Sequence, residues 1–310
     1  IHCRLNNLPN DRKEITTMSN ILDQLQRQVL LCDGAMGTQV QVRDLDIDSD
    51  FMGKENCTEV LNLSRPDVVR DIHTDYLKAG SDLIQTNTFG GSPLTLAEFD
   101  LEDQAFEINR LAGELAHEAI DGLGPDSKPR FVMGAIGPGT RLPSLGHIDY
   151  AALETALTVQ CEGLAAGRVD AFLIETCQDT LQIKAAVNGA KKARLASGRD
   201  IPIFVQVTVE TTGTLLVGSD IAAAATSLHA LGIDSLGLNC ATGPQEMGEH
   251  VKWLSENWPG FISVQPNAGL PELVDGHTHY PLGPEEAARW LERFVREDGV
   301  NIVGGCCGTT

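Results

Sequence analysis

Short apolar runs, rich in β-branched residues, recur along the chain and end in small or polar positions. They are Val29–Cys32, Ser81–Thr86, Phe131–Ile136, Ala171–Ile174, Pro202–Val207, Ser235–Leu238, Phe261–Val264 and Asn301–Val303. Continuous runs of this length suit strands buried on both faces, as in parallel sheets. Between them lie amphipathic stretches with helix punctuation. Pro66-Asp67-Val68 opens one that stops at Ala79-Gly80; Leu101–Gly122, Asp149–Gly167, Asp179–Gly198, Ser219–Gly232, Pro244–Trp258 and Pro284–Gly299 follow. Proline in the first turn and glycine just past the last is the asymmetry that helix ends impose. Strands and helices alternating through eight apolar runs predict an α/β chain folded as a (β/α)8 TIM barrel. A doubly wound sheet also alternates, but no glycine-rich phosphate loop opens a helix after the first run.

Two features concern the chain ends. Only Gly304–Thr310 follow the last run, too few for an eighth helix. The expectation is a barrel at residues 18–310 cut from a longer polypeptide; the other option is that a helix near Asn20–Gln28 fills the vacant place. Residues 1–17 are polar and mixed in charge and read as a flexible extension, with Ser19 as N-cap of the first helix.

Composition narrows the function classes. With 310 residues, 42% of them hydrophobic and 21% charged, the chain has the apolar content of a globular protein with a large core. No apolar run approaches the ~20 residues of a membrane span. The formal charge of −20 repels phosphate backbones, so nucleic acid is not an expected partner. There are eight cysteines. A disulfide framework belongs to small secreted domains, and the first residues carry no apolar signal segment. The cysteines therefore read as thiols in a reducing, cytoplasmic setting.

In a barrel of this kind the chemistry sits where the strands end. Three thiols reach that rim: Cys240 after the sixth run, and Cys306 and Cys307 after the eighth. Adjacent residues in an extended strand point to opposite faces, so Cys306 and Cys307 can converge only if the backbone bends. Gly304, Gly305 and Gly308 permit such a bend. Three cysteine ligands leave one tetrahedral position of Zn²⁺ open, the arrangement of a catalytic site. Three thiolates also make the ion a weak activator of water and suit it to a soft sulfur ligand. A thiol bound there is held as a thiolate near neutral pH. The bland alternative is a pair of small buried residues or a vicinal disulfide beside a core thiol.

Other rim residues bear on a substrate. Asp33 and Glu175 offer carboxylates for an ammonium group, and the Asp33-Gly34 turn offers N–H groups for a carboxylate. Asp33 alone reads equally as a turn or capping residue. Glu175 ends an apolar strand, where an unpaired structural carboxylate is unusual. Asp275-Gly276-His277-Thr278-His279 carries a His-x-His spacing that would serve a zinc hydrolase, although a solvated loop is the expected reading. Cys32 reads as core, Cys57, Cys161 and Cys177 have no partner spacing, and Arg141 and His147 fall on a surface loop.

Several segments together resemble a known family. They are Leu31-Cys32-Asp33-Gly34-Ala35-Met36-Gly37-Thr38, Gln85-Thr86-Asn87-Thr88-Phe89, Gly237-Leu238-Asn239-Cys240, Pro266-Asn267-Ala268-Gly269 and Gly304-Gly305-Cys306-Cys307-Gly308-Thr309-Thr310. They are similar to the homocysteine S-methyltransferase family, and within it to the homocysteine-binding module of cobalamin-dependent methionine synthases. The resemblance implies a zinc barrel that binds homocysteine, with Cys240, Cys306 and Cys307 as metal ligands. It implies that Asp33, Gly34 and Glu175 contact the amino-acid end, with Asn87 and Asn267 as further rim candidates. It implies methylcobalamin as methyl donor, carried with folate on other modules in cis or in trans, since no Asp-x-His-x-x-Gly cobalamin motif occurs in this chain. The alternative within the family is a freestanding enzyme that uses betaine or S-methylmethionine. From a different class, a barrel that stores or senses metal remains the rival.

Overall fold

The computed structural model describes residues 20–125, 128–274 and 277–310. Ten strands and eleven α-helices alternate along the described chain. Helix α1 (Ile21–Leu25) precedes β1 (Leu30–Leu31), and α2 (Met36–Gln41), α3 (Leu61–Ser64) and α4 (Pro66–Ala79) lead to β2 (Leu83–Gln85). Then come α5 (Pro93–Leu96), α6 (Ala105–Asp121), β3 (Phe131–Ile136), α7 (Tyr150–Ala166), β4 (Ala171–Cys177), α8 (Thr180–Ser197) and β5 (Ile203–Val207). The chain continues through α9 (Ile221–His229), β6 (Ser235–Asn239), α10 (Pro244–Asn257) and β7 (Phe261–Gln265). It closes with β8 (Glu272–Val274), β9 (His277–His279), α11 (Pro284–Asp298) and β10 (Ile302–Val303).

The main sheet runs β1-β10-β7-β6-β5-β4-β3-β2, with every pair parallel. A parallel bridge from Cys32 to Leu83 joins the two ends, so the sheet closes on itself. This is the expected (β/α)8 barrel. The helix stops fall where the punctuation places them. Pro66 starts α4 and Gly80, at φ 118°, ends it; Gly198 and Gly299 end α8 and α11 at φ 67° and 66°.

Side chains alternate along each strand, and this divides the core in two. Leu30, Leu83, Phe131, Met133, Ala171, Leu173, Phe204 and Ile302 cluster inside the barrel. Their neighbours Val132, Phe172, Ile174, Val205 and Leu236 join a second cluster with the helices. Ile21 and Leu25 of α1 belong to the inner cluster. The first helix therefore covers the N-terminal end of the barrel and does not take the flanking place of an eighth helix. Its N-cap is Asn20, whose Oδ1 accepts from Asp23 N at 2.8 Å. Ser19 and the extension at 1–17 lie outside the described residues.

Three expectations are corrected. Strand β4 extends past Ile174 to Cys177, with a register shift between the two residues. The stretch from Leu101 begins with a 3-10 turn at Glu102–Gln104 before α6. The segment around His277 is not a loop: β8 and β9 pair antiparallel, with Val274 opposite His277.

One buried side chain carries a cost. His73 on α4 is fully buried, and neither ring nitrogen has a hydrogen-bond partner among the described residues. Burial holds its pKa down at about 4, below the usual 6.5. The folded protein thus keeps it neutral while the unfolded chain protonates. Its share of stability is complete above pH ~6.5 and is lost as pH falls toward ~4, a loss of roughly 3 kcal/mol. Replacing His73 with leucine is expected to raise stability at pH 7 by about 1–3 kcal/mol. It should also flatten the acid limb between these pH values. Urea unfolding at pH 7.5 and pH 5 reads both; an unchanged difference between the two pH values contradicts the assignment.

Candidate metal and substrate site

Backbone geometry at the strand ends brings the thiols together. Cys240 follows β6 directly and sits at φ 59°, and Ala241 follows at φ 54°. Left-handed conformations are costly for residues with a Cβ and gather at functional sites. Here they turn the chain off the strand, held by bonds from Cys240 N to Gln265 O (3.2 Å) and Asn267 N to Thr242 O (3.1 Å). The Cys306-Cys307 pair bends in a turn closed by Thr309 N to Cys306 O at 3.1 Å. Of the glycines expected to allow this bend, only Gly308 adopts a positive φ, 79°. Gly305 is needed for close approach, since a Cβ there would lie 2.3 Å from Thr309 Cγ2.

Three neighbours pin the loop. Cys306 N donates to Pro266 O (2.8 Å), Cys307 N to Asn267 Oδ1 (3.1 Å) and Gly308 N to Thr38 Oγ1 (3.2 Å).

The three sulfurs all lie within 4.8 Å of one another, and those of Cys240 and Cys307 are 3.9 Å apart. A tetrahedral ion with Zn–S bonds of ~2.3 Å separates its sulfurs by roughly 3.8 Å. The donor set therefore fits zinc. All three cysteines are free thiols in this structure. Contacts with the sulfurs of Cys240 and Cys306, and with the Tyr280 hydroxyl, pull the pKa of Cys307 down to about 3. Its contacts with Cys240 and Cys307, then burial, push Cys306 up. Among the described residues no histidine joins such a cluster; His279 is exposed on β9.

The trio lines a cavity of about 420 Å³, within the range of small-molecule sites. Gly34, Asn87 and Glu175 line it too. Asp33 and Asn267 do not. Asp33 is buried with its carboxylate turned to the neighbouring strand, Oδ2 accepting from Gln85 N (2.8 Å) and Oδ1 from Gln85 Nε2 (3.2 Å). Asn267 stands behind the Cys307 peptide. Asn87 donates through Nδ2 to Thr58 O at 2.7 Å, bracing the segment that follows β1.

Glu175 reaches the cavity because of the irregularity in β4. The register shift falls on Glu175 and Thr176, and Thr176 sits at φ 57°. A bulge re-aims side chains in this way. Glu175 is 8% exposed and forms no ion pair among the described residues. Burial, then the charges of Asp33 and Cys307, push its pKa up to about 8. Burial also pushes Asp33 up to about 7, against the pull of the Gln85 hydrogen bonds. Both carboxyl groups are buried, and only Glu175 faces the cavity.

The sequence reading missed two residues here, Glu59 and Tyr280, and one contact of a third, Asn239. Glu59 is a buried carboxylate on the cavity wall, Oε1 accepting from Gly90 N at 2.6 Å. Tyr280 follows β9 and bonds the sulfur of Cys307, and a Cβ on Gly308 would lie 2.4 Å from its ring. Asn239 bonds Glu175.

The sequence profile of the homocysteine S-methyltransferase family matches residues 30–310. The chain belongs to this family. The methionine synthase of Mycobacterium tuberculosis (strain ATCC 25618 / H37Rv) is 49% identical over 292 residues, 94% of this chain and 24% of that protein. The methionine synthase of Mycobacterium leprae (strain TN) is 48% identical over the same share of each. The chain thus spans about a quarter of the length of these relatives. A crystal structure of the homocysteine methyltransferase MmuM from Escherichia coli, in its metallated form, shares the fold. Its TM-score is 0.74 at 21% identity, over 93% of this chain and 94% of that one. No described helix is long and apolar enough to cross a membrane.

Proposed function

We propose that this homocysteine S-methyltransferase module binds homocysteine and presents its sulfur for methylation to methionine. The convergence of three thiols at the mouth of a cavity that also holds an uncompensated carboxylate carries this reading. Cys240, Cys306 and Cys307 hold zinc, which when bound lowers the proton affinity of a thiol placed in its remaining position. Glu175 takes the ammonium group, with Asp33 adding negative potential behind it. The Gly34 turn serves the carboxylate. The thiol proton leaves to solvent, the sulfur lone pair forms the new bond to the methyl carbon, and the donor keeps the electrons of the bond that breaks. Methionine is a neutral thioether, a poorer metal ligand than a thiolate, and departs.

The donor has two readings. Phe89, Leu145, Leu216 and Leu270 are exposed on loops that follow β2, β3, β5 and β7. An apolar rim of this kind suits a second protein surface, which supports methylcobalamin delivered on another module, in cis or in trans with a folate-binding one. The second reading is a small onium donor, betaine or S-methylmethionine. The cavity wall beyond the cysteines holds Phe89, Phe99 and Glu98, groups that attract such cations.

A transfer assay with zinc-loaded protein, homocysteine and each donor in turn separates them. Methionine from methylcobalamin alone supports the first reading, and methionine from either onium compound supports the second. Methionine from none of the three, together with no effect of homocysteine on the bound metal, contradicts the proposed activity and favours a metal-storing barrel.

A further inference from the structure

Strand β6 ends in two neighbouring side chains with different tasks. Cys240 joins the sulfur trio. Asn239, one residue earlier, is 1% exposed and uses both ends of its amide. Its Oδ1 accepts from Thr176 N at 2.9 Å, and because a backbone N–H can only donate, this bond fixes which end of the amide is which. Nδ2 then donates to Thr176 Oγ1 (2.8 Å) and to Glu175 Oε2 (3.3 Å).

Strands β4 and β6 are not neighbours; β5 lies between them. The Asn239 side chain therefore reaches across the end of β5 to β4. Thr208, just past β5, supports it from below, its hydroxyl donating to Asn239 O (2.9 Å) and lying 3.4 Å from Oδ1.

What this amide holds would otherwise be free to relax. Thr176 sits in the left-handed region, which a threonine adopts only when its surroundings enforce it. The carboxylate beside it has no cationic partner among the described residues. Without the amide, the bulge can return to regular pairing and turn Glu175 away from the cavity. Asn239 is also covalently joined to Cys240, so any shift of β6 moves sulfur and carboxylate together.

We infer that Asn239 is a positioning residue that fixes Glu175 relative to Cys240, setting the span between the ammonium-binding carboxylate and the sulfur-binding cluster. The site thereby selects thiols that carry an α-amino group at one distance from sulfur. This rests on the homocysteine reading above.

The test measures binding of homocysteine and of 4-mercaptobutanoate, the same thiol without the amino group, to zinc-loaded protein by calorimetry. Wild type should prefer homocysteine. Asn239→Ala should cut that preference about tenfold or more, with 4-mercaptobutanoate affinity and zinc content held within about twofold. In a Glu175→Gln background, Asn239→Ala should change the preference no further. Thr208→Val, which loosens the amide and leaves it in place, should lower the preference by about threefold and serves where Asn239→Ala does not fold. Equal weakening of both ligands, loss of zinc, or additive effects of Asn239→Ala and Glu175→Gln would overturn the inference. Absence of any amino-group preference in wild type would instead remove the homocysteine reading on which it rests.

Discussion

Replacing Cys307 with alanine is expected to strip the metal and leave the barrel standing. Zinc bound by a full protein ligand set contributes roughly 10–16 kcal/mol, so one sulfur of the set is worth about 3–4 kcal/mol. Losing Cys307 removes the member of the trio whose pKa the other two cysteines and Tyr280 pull down. Its side chain is only partly buried and lies in the turn beyond β10, so the core loses nothing. Zinc per chain should fall from about one to below about a tenth after dialysis, with an unchanged far-ultraviolet dichroism spectrum. Methyl transfer should fall by at least ~1,000-fold. About thirtyfold of this is the small thiolate fraction of a free thiol at pH 7, and the rest is lost positioning. Full zinc content in this variant would remove the cysteines from the site.

Glu175→Gln should act on the substrate and spare the metal. Truncating one partner of a buried charge pair costs about 2–5 kcal/mol. Homocysteine binding should weaken by roughly 30- to 150-fold at the lower end of that range. The pH dependence distinguishes this from a general loss of shape. The group sits at about 8 in the ligand-free protein, raised first by burial and then by the charges of Asp33 and Cys307. Pairing with an ammonium requires the ionised form. Below pH ~8 binding must therefore expel a proton, and the preference for homocysteine over 4-mercaptobutanoate should rise as pH climbs from 6 to 8. The ratio cancels the thiol ionisation that both ligands share. In Glu175→Gln the ratio should be small and flat with pH. A wild-type ratio that falls over the same interval would place the ammonium elsewhere.

The barrel and the three-cysteine cluster were legible because each rests on a local signal with one structural meaning. Apolar runs buried on both faces mark parallel strands, and residues after such runs stand on one rim. Asn239-Cys240 and Gly304–Gly308 needed only that rule to meet. Proline and glycine placed the helices for the same reason: Pro66, Pro244 and Pro284 each open a helix, and Gly80, Gly198 and Gly299 each end one.

What escaped depended on departures from regularity. The bulge at Glu175-Thr176 carries β4 three residues beyond the apolar run, to Cys177, and nothing in the alternation announces it. Asp33 stands at the rim in sequence, yet its carboxylate turns back to serve the Gln85 peptide, a choice made by contacts across strands. Glu59 comes from the long connection between β1 and β2, and Tyr280 from the segment after the β8–β9 pair, so their approach to the cavity is tertiary. The β8–β9 pairing did have a signal. In sequence terms Asp-Gly is a dipeptide that favours hairpins, and the His-x-His spacing after it drew attention from it.

Zinc-edge X-ray absorption on the metal-loaded protein, before and after addition of homocysteine, bears most directly on the central claim. The account predicts a shell of three sulfurs and one lighter atom that becomes a shell of four sulfurs when homocysteine binds. A shell containing imidazole, or one that homocysteine leaves unchanged, would contradict it.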